Sequence, residues 1–163
     1  MTPERRAHED FRTFFEREYA RLARALFLIT SSDAEAEDLA QESMVRVFER
    51  WDRVGRMESP TGYLYRTAMN LHRSRLRRLR HPTRYRGEPP PASDPGAMIE
   101  VRDHVARVLE AIPIGQRQAL VLVEWLGFDA EEAGRLLGIE AVSVRVRLSR
   151  AHKALRDSVE EET

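Results

Sequence analysis

Residues 129–156 run DAEEAGRLLGIEAVSVRVRLSRAHKALR. Asp129 with Glu132 three residues on is a capping-box pair, which opens a helix over Ala130–Leu137. Gly138-Ile139 is a tight turn, and Glu140 to Arg156 form a long final helix. With Val144 at the centre of a buried face and about 100° per residue, Ala141, Leu148, Ala151 and Leu155 fall within about 60° of it. The opposite face carries Val142, Ser143, Val146, Arg150 and Lys153, with Arg145 and Arg147 on the flanks. Taken by itself this is either an amphipathic helix with a solvated basic side or a nucleic-acid face. The short helix and the Gly138 turn before it favour DNA, because a helix-turn-helix projects its second helix into a major groove.

Working outward, almost everything else is helical by period. Phe11, Phe14, Phe15, Leu22, Ala25, Leu26 and Ile29 recur on one broad side of a helix from about Glu4 to Ile29. Thr30 to Asp33 break it. Ser32 with Glu35 then caps a second helix, whose apolar stripe is Ala36, Ala40, Met44, Val47, Phe48 and Trp51. A loop is expected over Asp52 to Ser59. Ser59-Pro60 starts a third helix, with Leu64, Ala68 and Leu71 inward, and His81-Pro82 stops it. Past residue 97, helices are expected over Met98 to Ala111 and from Pro113 to about Gly127.

Pro82 to Gly96 hold five of the eight prolines and no apolar period, the composition of a semi-rigid exposed linker. The expected fold is therefore all-α, with two small helical domains. Residues 1–81 form an N-terminal three- to four-helix bundle, 82–96 a Pro-rich linker, and 97–163 a C-terminal four-helix domain with the helix-turn-helix. A chain of 163 residues with 42% apolar and 33% charged side chains is neither a membrane protein nor a disordered one. No stretch approaches the ~18 apolar residues of a membrane span, so a soluble, cytoplasmic protein without membrane insertion is expected. The absence of cysteine excludes a disulfide scaffold and a thiolate metal site.

The net charge of zero hides an asymmetry. Residues 1–87 hold 18 basic and 13 acidic side chains, and residues 88–163 hold 9 and 14. Arg66 to Arg86 contain eight arginines and no acid. This is either a solvated helix end, where cations are favourable, or, since eight charges exceed what a helix C-terminus needs and Tyr63, Tyr65 and Tyr85 lie close by, a phosphate-tracking surface with stacking residues; the charge excess favours the second. Glu35, Asp38 and Glu42, with Gln41 beside them, line the second helix at three- and four-residue steps. That line is either a solvated face or a dock for a basic partner. Catalysis has no support. The five histidines (His8, His72, His81, His104, His152) lack ligand spacing, and there is no glycine-rich phosphate loop and no Gly-x-Ser-x-Gly. Neither a cofactor, a metal nor a small-molecule substrate is expected.

Ala36-Glu37-Asp38-Leu39-Ala40-Gln41-Glu42, then Val47-Phe48-Glu49-Arg50-Trp51, then Tyr63 to Leu71, resemble the second conserved region of bacterial RNA polymerase sigma factors. Ile112-Pro113, Gln116-Arg117, Leu137-Gly138-Ile139 and Val144 to Ala151 are similar to their fourth region. With these two regions and a short linker the chain resembles the extracytoplasmic-function (ECF) group, a DNA-binding transcription initiation factor. The resemblance covers about residues 11–80 and 98–156.

The resemblance implies the partners: core RNA polymerase through its β and β′ subunits, promoter DNA, and an anti-sigma factor. It assigns core-polymerase binding to Glu35, Asp38, Leu39, Gln41 and Glu42. It gives minus-ten DNA to Arg53, Arg56, Tyr63, Tyr65, Arg66, Asn70, Arg73 and Arg77, with base capture by the Asp52–Ser59 loop. It gives minus-thirty-five DNA to Val142, Ser143, Arg145, Val146, Arg147, Arg150 and Lys153. The alternative is a stand-alone helix-turn-helix regulator with an N-terminal interaction module. Three departures from the family pattern stand out. Ala130 to Gly134 replace a bulkier stretch, which predicts a less firmly packed helix. Thr67 stands where a larger aliphatic is common. Val142 and Val146 stand where the family often has Gly and Ser. The two valines are either surface residues or contacts for thymine methyl groups.

Overall fold

The computed structural model describes residues 3–80 and 99–163, with side chains described for 10–80 and 104–163. The whole of the expected linker, the His81-Pro82 stop, Tyr85, and Arg84 and Arg86 lie outside the described residues. The elements are α1 (Pro3–Thr30), α2 (Asp33–Glu49), α3 (Trp51–Val54), α4 (Pro60–Arg80), α5 (Ile99–Glu110), α6 (Ile114–Leu120), α7 (Ala130–Leu137) and α8 (Ala141–Glu161). No strand occurs among the described residues.

The helix boundaries have local causes. Ser31 ends α1 in the left-handed region, φ +58°, and its N–H donates to Phe27 O at 2.8 Å. Ser32 Oγ then accepts from Glu35 N–H at 3.2 Å, satisfying a donor of the first turn of α2. Ser59 Oγ does the same for Gly62 N–H at 3.0 Å, one residue before the proline that opens α4. Two stretches differ from expectation. The Asp52–Ser59 loop begins with a helical turn, α3, because Trp51 and Val54 both bury there. Gly55 lets the chain pass close over that indole: a Cβ on it would lie 2.9 Å from the Trp51 ring. The helix from Pro113 does not run evenly to Gly127 either. It widens to a π-helical turn over Val121–Trp125, closed by Leu126 N–H on Val121 O at 3.0 Å.

Burial follows the apolar periods. Leu22, Leu26 and Ile29 of α1, Leu39, Ala40 and Val47 of α2, and Leu64, Ala68 and Met69 of α4 form the N-terminal core. That cluster continues without a break into Ala119, Val121 and Leu122, then Ala133, Leu136, Leu137 and Val144 of the C-terminal half. Leu109, Ile112 and Ala151 make a smaller second cluster. The two halves are therefore packed on each other.

Polar side chains tie that junction to main-chain carbonyls. Arg21 donates to Leu126 O at 2.9 Å and Arg73 to Leu137 O at 2.6 Å. Buried Arg117 donates to Ile29 O across the junction at 2.6 Å, and to Ile112 O at 2.9 Å and Glu110 O at 3.3 Å in its own half. Gln118 Nε2 and His72 Nδ1 meet at 3.0 Å, both buried. The Tyr65 and Phe128 rings meet edge to face, 5.6 Å between centroids.

Candidate nucleic-acid and partner interfaces

The helix-turn-helix is closely built. Asp129 Oδ1 accepts from Glu132 N–H at 2.8 Å, and Glu132 Oε2 accepts from Asp129 N–H at 2.9 Å, so both halves of the capping box form. Gly138 closes α7 in the left-handed region, φ +69°, where a side chain would be strained. The Ala130–Gly134 stretch is small for a steric reason. A Cβ on Gly134 would stand 2.7 Å from Ile139 O, so glycine lets the turn fold back onto α7. The less firm packing expected there is not what the helix has: Ala133, Gly134, Leu136 and Leu137 are all buried.

On α8, Val144 and Ala151 are buried, with Val142 63% and Val146 45% exposed on the other side. Ser149, Arg150 and Lys153 are exposed on that outward face as well. Two of the assigned arginines are turned aside. Arg145 donates to Glu131 of α7 at 2.6 Å. The half-buried Arg147 lies over α6, its Nη1 3.1 Å from where a Gly115 Cβ would sit. Ser143 is half-buried, its N–H on Glu140 O at 3.0 Å.

On α4, Arg66, Asn70 and Arg77 are exposed, and Arg53 and Arg56 are exposed in and just after α3. Tyr63 Oη accepts from Arg50 at 3.0 Å, and that guanidinium bond, with Arg53 nearby, holds the phenol below its ordinary pKa. These residues share one side of the N-terminal half. One assigned to the same DNA does not join them, and another is also bonded across the junction. Tyr65 is fully buried against Phe128, where burial raises its pKa, so its ring is core and offers no stacking face in this arrangement. Arg73 is exposed beside Arg66 on α4, and its guanidinium donates to Leu137 O, next to Gly138 of the helix-turn-helix turn.

On α2, Asp38 and Gln41 are exposed and Glu42 is partly so. Leu39 is corrected from a docking residue to a core residue, fully buried under α2. The acids are not a bare negative line: Arg75 of α4 bridges Asp38 Oδ2 at 2.8 Å and Glu42 Oε2 at 3.1 Å. Glu35 is half-buried, and desolvation raises its pKa against the opposing field of Arg75.

Beside Gln41 lies an apolar groove of about 580 Å³, walled by Phe11, Phe15 and Tyr19 of α1 and by Met44, Val45 and Phe48 of α2. Val45 and Phe48 are 53% and 43% exposed. The periods of α1 and α2 placed Phe15 and Phe48 in the core. The contrary signal was Val45, which lies off the buried stripe of α2 yet is apolar.

Residues 14–81 match the family model for Sigma-70 region 2, and residues 102–155 that for Sigma-70, region 4. The chain is 30% identical over 159 residues to the RNA polymerase sigma factor CarQ of Myxococcus xanthus, covering 93% of this chain and 90% of CarQ. It is 29% identical over 146 residues to the ECF RNA polymerase sigma factor SigM of Mycobacterium tuberculosis, covering 89% of this chain and 74% of SigM. Its fold is similar to that of the sigma factor RpoE in its co-crystal structure with the anti-sigma factor NepR from Bartonella quintana. The TM-score is 0.78 at 20% identity, over 93% of this chain and 98% of that one. CnrH in complex with the cytosolic domain of CnrY superposes with TM-score 0.67 at 21% identity, over 94% and 89% of the two chains. Two sigma-70 regions in order, named sigma factors matched over 74% and 90% of their length, and a matching fold place the chain: it belongs to the RNA polymerase sigma factors of the ECF group.

Proposed function

We propose a division of labour for this sigma factor, which directs promoter-specific transcription initiation. Core RNA polymerase docks on α2, through Asp38, Gln41 and Glu42 together with the apolar groove of Phe11, Phe15, Val45 and Phe48. By the family resemblance the docking element is the coiled-coil clamp of the β′ subunit. The exposed Arg53, Arg56, Tyr63, Arg66, Asn70 and Arg77 contact the minus-ten element, and the outward face of α8 contacts the minus-thirty-five element. The working domains are 1–81 and 97–163, with 82–96 as linker, where limited proteolysis is expected to cut first. An anti-sigma factor is proposed as a further partner, on the strength of the complexes of RpoE and CnrH. No helix among the described residues is long and apolar enough to cross a membrane, and the work assigned to the chain is cytoplasmic.

One observation carries this reading over a stand-alone regulator. A face that is acidic and apolar has nothing to offer a polyanion, and α2 exposes one while α8 exposes a basic face. The chain therefore has chemistry for DNA and separate chemistry for a protein. The test is reconstitution with core polymerase on a promoter-bearing template. The wild type should co-elute with core and give a specific run-off transcript. Asp38→Arg with Glu42→Arg should lose co-elution more than an exposed ion pair's ~1 kcal/mol, because reversal adds repulsion. Circular dichroism controls for the loss of the Arg75 bridge. Promoter binding without core and no transcript would favour the stand-alone regulator.

A further inference from the structure

The outward face of α8 is less basic than its composition. At about 100° per residue, Val142, Val146, Ser149, Arg150 and Lys153 lie within an arc of about 100°. Of the arginines at its N-terminal half, Arg145 is held by Glu131 at 2.6 Å and Arg147 is folded back over Gly115. What remains exposed in the first two turns of that arc is Val142 and, one turn on, Val146. In a helix-turn-helix the N-terminal part of the second helix meets the base edges. The cations Arg150 and Lys153 stand one to three turns further along, where the helix leaves the groove and phosphates lie.

We propose that Val142 and Val146 form an apolar reader for the 5-methyl group of thymine in the upstream promoter element. The proposal rests on α8 being the DNA-binding helix of a sigma factor, as argued above. Two features favour this occupant over bare solvent. The thymine methyl is the one apolar group that the major-groove edges of the base pairs present. The valine pair is also followed along the same arc by charge that complements DNA: Arg150 and Lys153 are exposed there, and the acids of that arc, Asp157 and Glu160, come only in the last turns of α8, beyond both cations. A valine pair makes no hydrogen bond, so it discriminates by what it covers. A methyl between the two side chains leaves water, whereas a cytosine amino group there would lose its hydrogen bonds to water. Of the arginines that composition would credit with reading bases, Arg145 is 56% exposed and paired with Glu131 of α7, and Arg147 lies over α6.

The experiment uses the full chain with core polymerase. Upstream duplexes randomised over the minus-thirty-five region are selected for binding, and each thymine of the selected site is then replaced by uracil, which deletes only the methyl. The wild type should lose about three- to fourfold at one or two positions, the weight of one buried methyl group. Val146→Ser and Val142→Ser, both at exposed positions that leave the core intact, should bind thymine and uracil sites equally. Arg145→Ala should leave the thymine-to-uracil ratio unchanged. A selected element without thymine on either strand, or wild-type binding indifferent to uracil at every upstream position, overturns the valine reader while the sigma-factor reading stands. Failure to enrich any upstream sequence, with core bound, would instead sink the assignment of α8 to DNA.

Discussion

Replacing Arg117 by alanine should uncouple the two halves of the protein. Arg117 is 6% exposed, and its guanidinium spans the junction, with Ile29 O of α1 at 2.6 Å on one side and Ile112 O at 2.9 Å on the other. Hydrogen bonds from a charged donor contribute about 1.5–3 kcal/mol each, so the two short ones together amount to about 3–6 kcal/mol. Part of this is returned in the variant, because the guanidinium is no longer dehydrated, a cost visible in the burial that lowers its pKa. The carbonyls left behind lose their partner, and the net cost should be about 2–4 kcal/mol. The two tryptophans provide the assay, since Trp51 is buried in the N-terminal half and Trp125 sits in the C-terminal half. Urea titrations of single-tryptophan versions should show coincident transitions for the native Arg117, as for a two-state unit. With Arg117→Ala the midpoints should drop and separate. Arg117→Lys should recover less than half, because an ammonium on a flexible stem cannot hold both carbonyls in a fork. A loss under about 0.5 kcal/mol with coincident transitions would refute the junction role, since that is the scale of an ordinary surface substitution.

Acid should act through His72, whose pKa is pushed from 6.5 down to about 4, chiefly by burial and then by the charges of Arg75 and Arg117. The unfolded chain takes up the proton first, so stability is full above about pH 7 and falls as pH drops toward 4. The loss between pH 7 and 5 should be about 2 kcal/mol. His72→Gln should flatten that slope, and an unchanged slope would remove His72 as the cause. Tyr65→Phe deletes a buried hydroxyl that has no hydrogen-bond partner but keeps the ring against Phe128. Calorimetry should show stability unchanged or raised by up to about 1 kcal/mol, and a clear fall would mean that the hydroxyl is bonded. Ser31→Gly relieves a left-handed φ of +58° and removes another unpartnered buried hydroxyl. A gain of about 0.5–1 kcal/mol is expected, and a loss would show that the flexibility of glycine in the unfolded chain outweighs the strain.

The helical elements were legible because their signals are local. Asp129 with Glu132 predicted a cap that forms in full, and Ser59-Pro60 and Gly138 mark boundaries within a residue of where the backbone turns. The π-helical turn had no such mark, because it depends on which of Val121, Leu122 and Leu126 must bury together. The groove was misplaced for a related reason. A 3.6-residue period identifies an apolar face but not whether the facing helix is long enough to cover it, and α2 leaves Phe15 and Phe48 part-covered.

The junction between the halves was not legible at all, and the physical cause is specific. Arg21, Arg73 and Arg117 all end on backbone carbonyls, and a carbonyl has the same sequence signature at every position. Read from composition, an arginine is a phosphate donor. Read from the fold, it is a donor for whichever acceptor the packing leaves unsatisfied. Leu137 O and Leu126 O lie at the ends of helical segments, where the last carbonyls lack intrahelical partners. Ile29 O, near the end of α1, is the same case. Part of the arginine excess of the chain is thus consumed in capping helix ends across the junction. The surface proposed for nucleic acid is correspondingly narrower than the count of positive charges implies, and among the assigned residues it rests chiefly on Arg66 and Arg77 of α4, Arg53 and Arg56 before it, and Arg150 and Lys153 of α8.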